Sequence, residues 1–296
     1  MSPDRTISET RQGYVQLCIG AALISFSAVW VQQADVGPTI SGFYRNLFGG
    51  VFLLFLVILR REALWRGRRP FLVALAASVF FAADLSFWHR SILFVGPGLA
   101  TLIANFQVFF LAGVGALVFK EALGWRFLIS IPLAVTGLFM VVGIDWNALG
   151  ANYQLGVYLG LASALAYALY LLVLRKSQYD TPRLSASANL LIISFVVAAI
   201  MGAEAYVLGE SFRIPNLSSW VSMAAYGIFS HGLGWMAISR GIAKMDASRA
   251  GLILLSQPTL TFVWDRLFFG RVMSLTAISG VALTLGAIYL GSTRNR

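Results

Sequence analysis

Hydrophobic and polar positions alternate along this chain on a long period, as ten mostly apolar runs separated by short polar stretches. The runs cover approximately residues 14 to 34, 38 to 59, 71 to 89, 97 to 119, 124 to 143, 153 to 174, 184 to 208, 217 to 238, 247 to 268 and 272 to 292. A helix needs roughly 17 to 25 apolar residues to cross a bilayer, and it satisfies its own backbone polar groups there. Pro38, Pro70, Pro97, Pro182 and Pro215 stand at or just before run starts, where a missing N–H costs little. The pattern predicts an all-α integral membrane fold of ten transmembrane helices. The first run is longer than a signal-peptide core, so it reads as helix one.

Charge then orients the helices. Arg5, Arg11, Arg60, Arg61, Arg66, Arg68, Arg69, Lys120, Arg126, Arg175, Lys176, Arg183, Arg240, Lys244, Arg249, Arg294 and Arg296 fall on one side, 17 in all, against four on the other: Arg90, Arg213, Arg266 and Arg271. Basic loops face the cytoplasm, so both termini are expected there, in the inner (cytoplasmic) membrane of the cell. The net charge of +10 is thereby explained by anionic lipid head groups, and nucleic acid is not an expected partner. Composition agrees: 58% of residues are hydrophobic and 11% charged, where a soluble domain carries about 25% charge. The single cysteine, Cys18, forms no internal disulfide and reads as a small packed hydrophobe.

The chain also repeats. At an offset of 150, HRSILFVGPGLATLIANFQ (89 to 107) lies over SRGIAKMDASRAGLILLSQ (239 to 257), matching Arg90 with Arg240, Ile92 with Ile242, Ala100 with Ala250 and Gln107 with Gln257. A second match sets GAALISFSAVW (20 to 30) over GLASALAYALY (160 to 170). The expected organisation is a cytoplasmic tail (1–12), a first five-helix repeat (13–148), a second (149–292) and a short tail (293–296). Five is odd, so the halves enter the membrane in opposite senses. Such inverted repeats place a site near the midplane between them.

At this point the chain resembles the drug/metabolite transporter superfamily, specifically its ten-helix EamA-type exporters, over residues 13 to 292. The carriers are GAALISFSAVW in helix one, ISGFYRNLFGGVFLLFLVILRR with Arg45 in helix two, FKEALGWRFLISIPLAVTGLFMVVG from helix four into five, and Gln257-Pro258 in helix nine. Within the superfamily it looks most like the YddG-type exporters of aromatic amino acids. Two departures matter: helix four reads Asn105-Phe106-Gln107-Val108 where the family often has a proline pair, and Glu121 after helix four becomes Arg271 in the second half. The resemblance implies export of amino acids, aromatic or other neutral ones, or of flat drug-like cations, by alternating access. A monomer is the expected working unit.

Charges inside spans cost on the order of 2.5 to 3.5 kcal/mol each, so they mark cavities or pairs. Arg45 and Asp84 lie at similar depth, forming either part of a substrate path or a structural ion pair. His231 and Trp235, four residues apart, predict a polar and aromatic wall on one helix face, with simple packing as the alternative. Asn105 and Gln107 in helix four align with Ser256 and Gln257 in helix nine, where Pro258 predicts a kink that frees a carbonyl. Tyr44, Trp88, Tyr167 and Tyr170 are candidate lining. His89 and Glu204 read as interfacial, and Trp65, Trp125, Trp146 and Trp220 as an interfacial belt. Gly156, Gly160, Ala164 and Ala168 form a small-residue stripe for close packing.

No HExxH, GxSxG, phosphate-binding loop or cysteine–histidine cluster occurs in the sequence, so neither an enzyme nor a cofactor is expected. A channel-like pore is the nearest alternative. An intramembrane enzyme using Asp84 and His231 would need the two side by side.

Overall fold

The computed structural model describes residues 3–110, 113–114, 124–142, 150–178, 184–242, 253–254 and 256–292. These form helices joined by short connections, with no strand among them. The first span is α1 (Pro3–Ser25) and α2 (Ser27–Gln33), interrupted at Phe26. The second is α3 (Pro38–Leu59), the third α4 (Arg68–Val95), and the fourth begins with α5 (Pro97–Ala104). Next come α6 (Trp125–Val142), α7 (Ala151–Gln178) and α8 (Ala186–Val207). The eighth span is α9 (Leu217–Ala225), a π-helical segment (Tyr226–Gly234) and α10 (Trp235–Ile242). The ninth and tenth are α11 (Ser256–Phe269) and α12 (Leu275–Ser292).

Five of the described helical stretches are long and apolar enough to cross a membrane: Arg11–Gln33, Pro38–Leu59, Arg68–Val95, Ala151–Val173 and Ala186–Val207. Shorter apolar helices cover Pro97–Phe110, Trp125–Val141 and Leu275–Gly291. The 22 residues of α3 measure about 33 Å, close to the hydrocarbon thickness. Val51, Phe55, Val79, Leu93, Leu155 and Val221 turn outward and stay exposed, an apolar surface that lipid accepts and water would not. Cys18 is exposed among them, so it is not the packed hydrophobe expected from sequence.

Spans pair as an inverted duplication requires. The first packs on the eighth and the third on the sixth, two contacts exchanged by the repeat, while second–seventh, fourth–ninth and fifth–tenth pairs map onto themselves. Hydroxyl groups bond across these seams: Ser91 Oγ donates to the Gly156 carbonyl at 2.7 Å, and Ser230 Oγ to that of Leu23 at 2.7 Å. Gly137 of α6 and Gly280 of α12 touch backbone to backbone. A Cβ on Gly280 would stand 2.6 Å from the Gly137 carbonyl oxygen. The small-residue stripe of α7 packs similarly, with Gly156 against Phe94 and Val95 and Gly160 against Ile103.

Several boundaries differ from the sequence reading. Helix α4 runs to Val95 rather than ending near 89, because Arg90 is neutralised inside the fold and the helix stops only at Gly96, whose φ is +83°. The eighth span starts where expected, since the Asn216 side chain accepts the Ser219 N–H at 2.8 Å. Lys120, Glu121, Trp146, Arg183, Lys244, Arg249, Arg294 and Arg296, with the start of helix nine at 247, lie outside the described residues.

Candidate functional site

A central cavity of about 380 Å³ opens between the two halves. Both interrupted and regular helices line it. The first span breaks at Phe26, between Ser25 and Ser27, which are buried beside the cavity; the fourth loosens at Asn105 and Phe106, beside Gln107 and Thr101. The first break is held by α11. The Thr261 hydroxyl shares its proton between the Gln257 carbonyl at 2.9 Å and the Ser25 carbonyl at 3.1 Å, Trp264 Nε1 donates to Ser25 Oγ at 2.8 Å, and the Trp264 ring stacks on Phe26 at 4.5 Å. From α4, Phe81, Asp84, Leu85 and Trp88 present one helical face to the cavity. Tyr167 of α7, Trp235 of α10 and Gln257 of α11 complete the wall.

Arg45 and Asp84 are its charged groups, with 5% and 8% of their surfaces exposed. Ion pairs among the described residues are Arg60–Glu62, Arg90–Glu204 and Arg271–Asp265, so Arg45 and Asp84 share a cavity without forming a salt bridge. Each is held by neutral groups instead. Arg45 Nη1 donates to the Tyr226 hydroxyl at 2.8 Å, and Nε points to His231 Nδ1 at 3.4 Å. Its guanidinium carbon lies 4.8 Å from the Tyr226 ring centre and 5.4 Å from that of Phe81. Asp84 Oδ1 accepts from Ser163 Oγ at 2.6 Å.

The histidines serve this arrangement from behind the wall. His231 accepts at Nδ1, so its proton sits on Nε2 and is donated to Ser194 Oγ at 2.8 Å, which itself donates to the Leu190 carbonyl. The expected shared face of His231 and Trp235 is absent: the π-helical turns add a residue per turn, so His231 faces α3 and α8 while Trp235 faces the cavity. His89 is fully buried rather than interfacial, with Nε2 at 3.0 Å from the Tyr226 hydroxyl.

Three other expected lining residues also stand off the wall. Tyr44 bonds the Phe212 carbonyl at 2.6 Å and packs with Phe48 and Trp220 toward the outer end. Tyr170 is buried behind Tyr167, stacked on Phe81 at 4.7 Å. Ser256 turns its hydroxyl back to the Ile253 carbonyl. Pro258 is buried in the first turn of α11, and the residues at which its kink was expected lie largely outside the described ones. Sequence reasoning missed Phe81, Ser163 and Tyr226. The i, i+3, i+4, i+7 spacing of Phe81 with Asp84, Leu85 and Trp88 carried a signal for the first; nothing local marked the other two.

Two charged clusters tie the helix ends on the side poor in basic loops. Arg90 donates through Nη2 to Glu204 Oε1 at 2.8 Å and Thr39 Oγ1 at 3.0 Å, and through Nη1 to the Ser86 carbonyl and hydroxyl. Thr39 Oγ1 in turn donates to Glu210 Oε1 at 2.7 Å. In the second cluster Asp265, nearly buried, accepts from Arg271 Nη1 and from the Gly98 N–H, both at 3.2 Å, and Arg271 also donates to the Val95 carbonyl. Among the described residues no three His, Cys, Asp or Glu side chains gather as a metal site.

An all-helical membrane fold, paired as an inverted duplication around a cavity with polar and aromatic walls, defines a polytopic transporter. The family described as the EamA-like transporter family matches at residues 11–143 and again at 154–293, and the chain belongs to that family. It is 21% identical over 281 residues to an uncharacterized transporter of Archaeoglobus fulgidus, covering 95% of this chain and 96% of that one. A Salmonella typhimurium protein named "probable amino-acid metabolite efflux pump" is 22% identical over 231 residues, covering 74% of this chain and 77% of its own. A solved crystal structure aligns with a TM-score of 0.66 at 18% identity over 96% of each chain, a likeness of fold alone.

Proposed function

We propose that this transporter exports neutral amino acids, aromatic ones foremost, by alternating access through the central cavity between repeats spanning 13–148 and 149–292. The carrying observation is the wall itself: one guanidinium and one carboxylate set among Phe81, Trp88, Tyr167 and Trp235. A pocket of about 380 Å³ falls within the usual range for small ligands. Gln107 and Thr101 add polar side chains to the same wall. The name of the Salmonella relative points the same way.

On this reading the Arg90 and Asp265 clusters hold the outer ends of the helices together and must part when the cavity opens outward. The protein works in the cytoplasmic membrane, as a monomer. Flat cations are the less favoured cargo because Arg45 is a fixed positive charge in the cavity. Proteoliposomes holding purified protein test the reading: labelled phenylalanine equilibrates faster than in empty vesicles. No acceleration for any neutral amino acid overturns it. Repeating the assay with an imposed pH gradient separates facilitated diffusion from proton exchange, because accumulation above equilibrium requires coupling.

A further inference from the structure

We infer that Arg45 and Asp84 are the two poles of a zwitterion subsite, Arg45 taking the substrate carboxylate and Asp84 its ammonium group. The inference rests on the proposed amino-acid export and adds what the cavity selects for. Burying a charge in a membrane protein is costly unless its hydrogen-bonding capacity is met. Arg45 is buried yet incompletely satisfied. Of its five N–H groups, one donates to Tyr226 and one points to His231; the other three have no acceptor among the described residues. Asp84 is its complement: Oδ1 accepts from Ser163, and Oδ2 has no donor among the described residues.

The two groups line one cavity of about 380 Å³. The Arg45 guanidinium lies over Phe81, and Asp84 is three residues further along the same face of α4. They nonetheless form no salt bridge. Were the pair structural, the long Arg45 side chain would be expected to reach the carboxylate directly. It is instead held by Tyr226 and His231, positioning residues themselves fixed by His89 and Ser194. The outcome is a cationic pole and an anionic pole facing one cavity. A cation alone would satisfy Asp84 and be repelled by Arg45; an anion alone would meet the reverse. A zwitterion satisfies both, with its side chain left against Trp88, Tyr167 and Trp235.

The experiment compares three labelled probes in proteoliposomes: phenylalanine, phenethylamine lacking the carboxylate, and 3-phenylpropionate lacking the ammonium. The wild-type protein moves phenylalanine at least about tenfold faster than either analogue, the loss expected for one charge-assisted contact. Arg45→Gln narrows the preference for phenylalanine over phenethylamine, and Asp84→Asn narrows that over 3-phenylpropionate, each about tenfold. Arg45→Lys keeps the charge and retains part of the first preference. Wild-type protein that moves phenylalanine and both analogues equally well overturns the subsite while leaving amino-acid export standing. So do variants that slow all three probes in proportion. If the wild type moves no amino acid at all, export and subsite fall together.

Discussion

Removing the Glu204 charge tests whether the Arg90 cluster holds the outer side shut. Glu204 Oε1 accepts from Arg90 Nη2 at 2.8 Å and from Ser86 Oγ at 2.9 Å, tying α8 to α4. The Arg90 and Glu204 side chains are 24% and 30% exposed, which sets the scale. Fully exposed pairs contribute about 0.2 to 1 kcal/mol, and breaking a fully buried pair costs about 3 to 5 kcal/mol. This pair lies between, nearer the exposed limit, at about 1.4 kcal/mol, a factor of about ten in an equilibrium between closed and outward-open forms. Labelling of a cavity cysteine from outside reads that factor. The exposed Cys18 is first changed to Ser, and Thr101, which lines the cavity, becomes the reporter through Thr101→Cys. With a membrane-impermeant maleimide, Glu204→Gln should raise the labelling rate about tenfold. Arg90→Gln should do the same, and the double variant little more, since both break one contact. Unchanged labelling in both single variants, with folded protein intact, refutes the latch.

Two further outcomes follow from packing and from the wall. Gly280→Leu forces a Cβ within 2.6 Å of the Gly137 carbonyl oxygen and 2.7 Å of Met140 Cβ, so it should destabilise by about 1 to 3 kcal/mol in thermal unfolding. Gly286→Ala on the same helix meets open space and should leave the melting temperature unchanged; equal losses in both would show that the α6–α12 contact is not the cause. Gln257→Leu should reduce phenylalanine transport at unchanged protein abundance, and unaltered kinetics would remove Gln257 from the site.

The helices were legible because lipid imposes one rule on every span: an apolar run of sufficient length, with backbone bonds closed internally. Helix starts at Pro38, Pro97 and after Asn216 follow from local chemistry and agree with the sequence reading. The breaks at Phe26 and Asn105 do not. The first depends on partners far along the chain, Thr261 and Trp264 reaching Ser25; at the second Asn105 Nδ2 donates back to the Thr101 carbonyl at 2.7 Å, and hydropathy is blind to both. Arg45 and Asp84 stood out because a charge in an apolar run demands explanation. Placing His231 beside Trp235 failed because i, i+4 reasoning assumes α-helical turns, and the π-helical segment occupies that stretch. His89 was misplaced for a related reason: next to Arg90 it looked like a helix end, whereas the arginine is neutralised by Glu204 and the helix continues.

The partners of Arg45 also set an order of biogenesis. Tyr226 and His231 lie 181 and 186 residues further along the chain. At roughly 5 to 20 residues per second, the ribosome reaches them about 10 to 40 s after Arg45 leaves the peptidyl-transferase centre. During that interval the second span carries an arginine whose insertion into lipid alone is disfavoured by on the order of 2.5 to 3.5 kcal/mol. Until then the guanidinium has neither of these two acceptors, and only the apolar residues of its own span offset the cost. The guanidinium that equips the finished cavity thus finds its hydrogen-bond partners only in the half made last.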